Sequence, residues 1–422
     1  MTAVSLLFCS VVYAQNPRID SLSGSLVHHS QVLIQGEGFG VKNPAAPLRW
    51  FDLEDGTLNV RVGDSGCSPG GQGLHSMGTP PVYAELSGPV ARGKSRKAAY
   101  HDFSASVYNR SLGVCNVASQ KLYSSTWTYF HDKSGRPSRN FKRMNSNAAL
   151  VPYGNPIVPQ VRVDTYPSTN SGHIYSSGCS SPPPAPTPAA PWDCADNNSY
   201  ENEYFGPLLS EQWERLERYI DDANGSADGV MRLWRNGELL EDINGRVVPP
   251  PSLCCYSHHG MIKFNDYFAL DYLNSCPTPG ASCAGVNHDT RRCTTAGSPY
   301  LNHYLECLNG TWVDLGTTAP SNPPAADVYT DDIYVDNTLA RVEICPGPQW
   351  NGRGRCEIQL PVEWASEQIT VQLNQGALPS GSDSYLFVIA DSGAVSNAMV
   401  VRFVESGDTV PPAAPASLRT SG

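Results

Sequence analysis

Between residues 209 and 242 the apolar positions of "LSEQWERLERYIDDANGSADGVMRLWRNGELLED" fit two periods at once. Leu209, Trp213, Leu216 and Ile220 recur at helical spacing, whereas Trp213, Arg215, Glu217 and Tyr219 alternate with Glu214, Leu216, Arg218 and Ile220 as a strand requires. Turn chemistry decides between them. Asn236-Gly237 is a two-residue hairpin signal, because both residues tolerate the positive φ of a tight hairpin turn, and a helix through Arg232-Leu233-Trp234 would run straight into it. The spacing therefore predicts strands over 212–221 and 229–241. If Leu216, Ile220, Met231 and Leu233 face a core, parity turns Trp213, Arg215, Glu217, Tyr219, Arg232 and Trp234 to the opposite face.

Short apolar runs of the same kind recur elsewhere. Val32-Leu33-Ile34, Val342-Glu343-Ile344, Ile358-Gln359-Leu360, Ile369-Thr370-Val371, Tyr385-Leu386-Phe387-Val388 and Met399-Val400-Val401 are bounded by turn residues. "TWTYFHDKSGRPSRNFKRMN", 126–145, reads as two strands around a Gly-Arg-Pro turn. Composition strengthens this picture: 37 Gly and 35 Pro with only 16% charged residues favour turn-rich β architecture over helical bundles. A chain of 422 residues has room for two domains. The Cys- and Pro-rich stretches 60–95 and 274–325 show no such pattern and are read as loops at a rim.

Two distant segments look like halves of one domain. "PRIDSLSGSLVHHSQVLIQGEGFGVK", 17–42, carries Gly36, Gly38, Phe39 and Gly40 after its second strand and resembles the opening of IPT/TIG domains, which are immunoglobulin-like sandwiches. "W-x-S-x-x-I-T-V" and "Y-L-F-V-x-x-x-x-G-x-x-S-N", within 340–404, resemble the second half of the same pattern. Two unrelated β segments are the other reading. A phosphate-binding glycine loop is disfavoured, because no helix follows to point its N-terminus at an anion.

Between these halves, the 212–241 strand pair resembles the middle of concanavalin-like jelly rolls, especially those of some polysaccharide lyases and laminin-G-like lectins. "PLRWFDLEDG", 47–56, and "VYTDDIYVDNT", 328–338, look like the first and last strands of such a domain. The expected fold is all-β: an immunoglobulin-like sandwich with an inserted concanavalin-like jelly-roll sandwich. Its divisions are a signal peptide at 1–14, IPT/TIG-like pieces at 15–46 and 335–405, the jelly roll at 47–334, and a Pro-rich linker or tail at 406–422.

Charge and cysteine usage narrow the setting. A net charge of −11 argues against a general nucleic-acid binder, which needs a basic surface, but leaves neutral or cationic glycans open. "MTAVSLLFCSVVYAQ" reads as a secretion signal lacking its basic start, with a buried first strand as the alternative. No other stretch is apolar for the roughly 18 residues of a membrane span. Removing Cys9 from 13 cysteines leaves twelve, an even number that suits disulfides in an extracellular or cell-surface protein. Cys345 is expected to pair with Cys356 and Cys179 with Cys194, while Cys276, Cys283, Cys293 and Cys307 pair among themselves. A zinc site at "CCYSHH" is disfavoured, because vicinal Cys254-Cys255 and His258-His259 lack the usual ligand rhythm.

The Trp213, Arg215, Glu217, Tyr219, Arg232, Trp234 face carries what sugar recognition uses, aromatic plates beside planar donors and acceptors. Arg139, Asn140 and Lys142 could extend it and suit uronic-acid carboxylates. A solvated sheet face with ordinary cross-strand ion pairs is the other reading. For a lyase, Tyr129, His131, Lys142 and Tyr219 are the available bases and enolate stabilisers. The R-x-E-L-R and Q-I-H signatures associated with alginate lyases are absent, as is the E-x-D-x-x-E acid pattern of a retaining glycoside hydrolase. Asp52, Glu54, Asp55, Asp331 and Asp332, at the ends of the jelly roll, could hold a structural calcium or simply be solvated. Three functions are compatible: a glycan-binding or adhesion protein, a lyase acting on a uronic-acid polymer, and a structural subunit that self-assembles through sheet edges.

Overall fold

The computed structural model describes residues 16–54, 61–62, 74–77, 81–103, 111–133, 140–148, 160–166, 171–177, 209–221, 229–246, 259–269, 271–273, 276–283, 289–318 and 325–405. The signal-like start, Asp55, Arg139, the Cys179 and Cys194 pair, Cys254-Cys255 and the tail lie outside them. The chain is all-β and divides into two compact units, residues 1–46 with 338–422, and residues 47–337.

In the first unit seven strands run in the order Arg18–Gly24, Gln31–Glu37, Gln368–Gln372, Glu357–Trp364, Arg341–Cys345, Ser384–Ile389, Met399–Val401. Val32 lies opposite Val371 and Ile34 opposite Ile369, so the two pieces of sequence share one hydrogen-bonded ladder. The Glu357–Trp364 strand changes partner along its length: Glu357, Ile358 and Gln359 pair with Arg341–Cys345, whereas Leu360 to Trp364 pair with Gln368–Gln372. Alternate apolar residues Ile34, Val342, Ile344, Ile369, Val371, Leu386 and Val388 meet in one core. Phe39 joins it from the glycine-rich turn. Gly36 is required there, since a Cβ would fall 1.9 Å from the Arg18 carbonyl oxygen and 2.6 Å from the Phe39 ring.

The second unit is a two-sheet sandwich of jelly-roll type. One sheet runs Glu238–Arg246, Gly229–Arg235, Trp213–Asp221, Lys121–Asp132, Ala326–Asp336, Lys97–Phe103, Val82–Glu85, with Arg49–Phe51 added against Ala326–Asp336. The other runs Ser171–Ser177, Gln160–Tyr166, Asn140–Ala148, His259–Ala269, Ser111–Ser119, Leu74–Met77, Arg61–Val62. Leu122, Leu216, Ile220, Met231, Leu233, Ile333 and Val335 of the first sheet pack on Leu112, Val114, Met144, Ile262 and Phe264 of the second. The core parity expected of 212–241 is therefore the observed one.

The hairpin expected at Asn236-Gly237 is present, and two other details go beyond expectation. Asn236-Gly237 (φ 50° and 81°) makes a tight turn that breaks 229–241 into two strands, Gly229–Arg235 and Glu238–Arg246. The two strands of 126–145 belong to different sheets. The stretch 274–325 is more than loop. With Asp271–Leu273 it supplies a four-stranded sheet continued by Asp289–Cys293, Tyr304–Leu308 and Thr311–Asp314, closed by disulfides Cys276–Cys293 and Cys283–Cys307. A third disulfide joins Cys345 to Cys356 in the first unit.

Candidate functional site

The face of the eight-stranded sheet that points away from the core is organised in cross-strand rows. Tyr100, Tyr329, Tyr129 and Trp213 are directly paired across four adjacent strands. Their ring centroids lie 5.0, 6.0 and 5.8 Å apart in that order. One step along the strands, Asp102, Asp327 and His131 form the next row. Lys133 closes it, its Nζ donating to Asp102 (2.7 Å) and Asp327 (2.8 Å).

Glu211 sits against this edge. Its backbone N–H donates to the Phe130 carbonyl, and its carboxylate accepts from the Tyr129 hydroxyl (3.2 Å) and contacts His131 Nδ1 (2.7 Å). Glu211 has φ 60°, a conformation costly for a residue with a Cβ, and strain of this kind gathers at functional sites. Tyr100, Asp102, His131, Asp327 and Tyr329 are partly open to solvent, and Lys133 and Glu211 are exposed.

Tyrosine–carboxylate pairing is the common theme of the face. Tyr100 donates to Asp327 (2.6 Å), Tyr123 to Glu217 (2.6 Å), Tyr334 to Asp336 (2.8 Å) and Tyr219 to Asp221 (3.3 Å), besides Tyr129 to Glu211. Burial, and then the neighbouring carboxylate, push the Tyr100, Tyr129 and Tyr329 phenols above the ordinary tyrosine range. At neutral pH they are hydrogen-bond donors. Burial pulls the Lys133 ammonium down, but its bonds to Asp102 and Asp327 outweigh this and raise it.

The opposite flank of the aromatic row is covered. The segment Leu86–Arg96, which contains a single 3-10 turn at Gly88–Val90, folds over the sheet. Arg92 lies 4.5 Å from the Trp127 ring centroid and 5.9 Å from that of Trp213, and the Trp213 indole N–H donates to the Val90 carbonyl (3.0 Å). The guanidinium pairs with Asp331 (2.8 Å) and Asp332 (2.9 Å). A bulge after Asp331, with Asp332 at φ 45°, turns consecutive acids toward the same cation. Burial and then Asp332 push Asp331 well above the carboxylate range, against the pull of Arg92.

The residues singled out in the sequence thus divide. Trp213, Arg215, Glu217 and Tyr219 are on the predicted face but buried. Arg215 is bound to Glu217 (3.3 Å), Tyr123 and Ser125, so this pair serves the sheet rather than standing open. Trp234 is buried, and Arg232 reaches Asp242 (2.9 Å) near the surface. Tyr129 and His131 come together at Glu211, while Tyr219 lies elsewhere on the face. Asn140 and Lys142 belong to the other sheet, opposite Ala269 and Tyr267, and do not extend this face.

Among the acids proposed for calcium, Asp52 accepts from the Glu54 N–H (3.2 Å), and Glu54 accepts from the backbone of Arg96 (2.7 Å). Among the described residues these two and the Arg92-bound pair do not bring three donor oxygens together around one point. Tyr100, Tyr329, Asp102, Asp327, Glu211 and Arg92 were not foreseen. The alternations "AYHDF" and "DVYTDD" carried the signal for the first four.

No protein-family model and no curated protein sequence matches this chain. Among solved structures it is similar to the alginate lyase Aly36B (12% identity over 58% of this chain and 81% of that one, TM-score 0.33). It is also similar to a cellulose-induced protein, Cip1 (10%, 69% and 97%, TM-score 0.35), and to alginate lyase vAL-1 from a Chlorella virus (12%, 63% and 91%, TM-score 0.33).

Proposed function

We propose that the protein binds a glycan on the Tyr100–Tyr329–Tyr129 row. One observation carries this reading: three neighbouring tyrosines, two of them partly open, border a hydrogen-bonding row of Asp102, Asp327, His131 and Lys133. Sugar rings present apolar C–H faces for stacking and hydroxyls for planar acceptors, and this edge offers both. Asp102, Asp327 and Glu211 outnumber the single lysine there, which favours a neutral or amino-sugar chain over a uronate polymer.

Among the described residues three disulfides are consistent with an extracellular protein, and no helix is long and apolar enough to cross a membrane. We read the protein as secreted or surface-displayed, with the 1–46/338–422 unit as an IPT/TIG-like support.

Polysaccharide lyase chemistry is the second reading, favoured by Tyr129 and His131 meeting at one carboxylate. His131 would take the proton beside a uronate and Tyr129, held protonated, would supply one to the leaving oxygen. The local acids oppose a uronate, so binding stands first.

Titration calorimetry against neutral, amino-sugar and uronate oligosaccharides, read beside the ultraviolet absorbance of an unsaturated product, separates the two. Binding of neutral or amino-sugar chains without absorbance supports the binding protein. Absorbance growth on a uronate chain would replace it with the lyase, and no binding to any of them would remove both.

A further inference from the structure

We infer, resting on the glycan-binding reading, that Arg92 makes the site blind-ended, so that the protein recognises short glycans or chain ends rather than the interior of a long polymer. Among the described residues the aromatic row begins at the edge strand of the sheet, where Val82 is paired with Tyr100 and is 57% exposed. It runs inward past Tyr329 to Tyr129 and Trp213, which are only 2% and 7% exposed.

The platform does not stop at Trp213 for want of aromatic surface. Trp127 lies two residues along from Tyr129 on the same strand and the same face, so two further indoles continue the stacking surface. Both are taken from within the chain. The Val90 carbonyl holds the Trp213 indole N–H, and the Arg92 guanidinium lies over Trp127 where a sugar ring would otherwise stack.

A planar cation on an aromatic face, paired on its far side with two carboxylates, is a strong anchor. Ser95 adds a fourth hold, accepting from Arg92 at 2.8 Å. In the segment carrying this side chain Ser87, Gly88, Pro89, Ala91 and Gly93 are exposed, while Leu86 and Val90 pack on the same aromatic cluster that Arg92 covers. A chain laid along the open rings of Tyr100 and Tyr329 from the Val82 edge therefore meets the covered end of the row, where Leu86 and Val90 pack with Tyr129, Trp213 and Trp127. Room remains for about as many sugar units as there are open rings, one unit stacking on each ring face.

Calorimetry of the full chain with β-1,4-linked glucose and glucosamine oligomers of two to six units tests this. The expected result is affinity that is already level from the dimer to the hexamer, to within about twofold. Affinity that climbs severalfold with every added unit to the hexamer would overturn the blind end while leaving glycan binding intact. Absence of binding at every length would overturn both. Arg92→Lys gives an independent reading, because the ammonium keeps a charge facing Asp331 and Asp332 but vacates the Trp127 ring. The variant is expected to bind pentamer and hexamer more tightly than trimer, and an unchanged plateau would count against the inference. Should this variant fail to fold, the wild-type length series decides alone.

Discussion

Tyr100 and Asp327 stand one row apart on neighbouring strands, and the Tyr100 hydroxyl donates a 2.6 Å hydrogen bond to Asp327 Oδ1. Burial raises the Tyr100 pKa first and the bond to Asp327 adds to it. A proton held more tightly in the folded state contributes stability that is fully present below the unfolded tyrosine value of about 10 and is lost as pH rises beyond it. The wild type should therefore lose stability above about pH 10, and Tyr100→Phe should flatten that loss. Urea midpoints from pH 8 to 12, read beside tyrosinate absorbance, check this.

Replacing Tyr329 with Ala removes the middle ring of the row. Glycan affinity is expected to fall about tenfold, some 1.4 kcal/mol, in line with the loss of one aromatic stack. Tyr219→Phe, a buried change away from the open rings, should leave affinity within about twofold. Equal losses in both would show that general loosening of the sheet, not stacking, is being measured.

Arg92→Ala leaves two acids buried without their cation, a change that typically costs about 3–5 kcal/mol. Asp331 is raised by burial and by Asp332, so its proton favours the fold at acid pH and that contribution is lost as pH rises through the raised value. The deficit of the variant should therefore be largest at neutral pH and shrink on acidification. Denaturant unfolding at pH 7 and pH 5 measures it.

Disulfides Cys276–Cys293 and Cys283–Cys307 enclose Leu305 and Trp312 in the small four-stranded sheet. Cys283→Ala with Cys307→Ala should cost about 2–5 kcal/mol locally. Hydrogen exchange should quicken in Asp289–Cys293 and Tyr304–Leu308 while Lys121–Asp132 keeps its protection. Equal loss in both regions would show that the small sheet is not a separate cooperative piece.

With Arg92 already facing Asp331 and Asp332, melting midpoints in millimolar calcium and in chelator should coincide. A calcium-dependent rise would mean that Asp52, Glu54 and Asp55 assemble a site of their own.

Strand parity at 212–241 was legible because Asn236-Gly237 excluded a helix and Leu216, Ile220, Met231 and Leu233 form one face. What parity could not reveal was that the opposite face is also covered, which leaves Trp213 through Ile220 buried at every position. A strand buried on both sides loses the polar alternation that marks a wet surface. Tyr129 and His131 were found from residue type alone, but Glu211, distant in sequence, is brought to them by a bridge between Ser210 and Phe130. Arg92 was invisible for a similar reason: its carboxylate partners are 239 and 240 residues away. The Cys345–Cys356 bridge was legible because its closing loop is short, with a separation of 11.

Arg49 and Phe51 lie opposite Val335 and Ile333, so the 47–337 unit begins and ends on two hydrogen-bonded neighbours. Its two ends are therefore about one strand spacing apart, roughly 4.8 Å. A host loop that receives such a unit must open by little more than the width of one ladder rung, and can be sealed again by a linker of a residue or two. The unit is portable in the manner of a cassette: a gene fusion could carry residues 47–337 into an exposed hairpin of an unrelated protein without its own ends having to stretch.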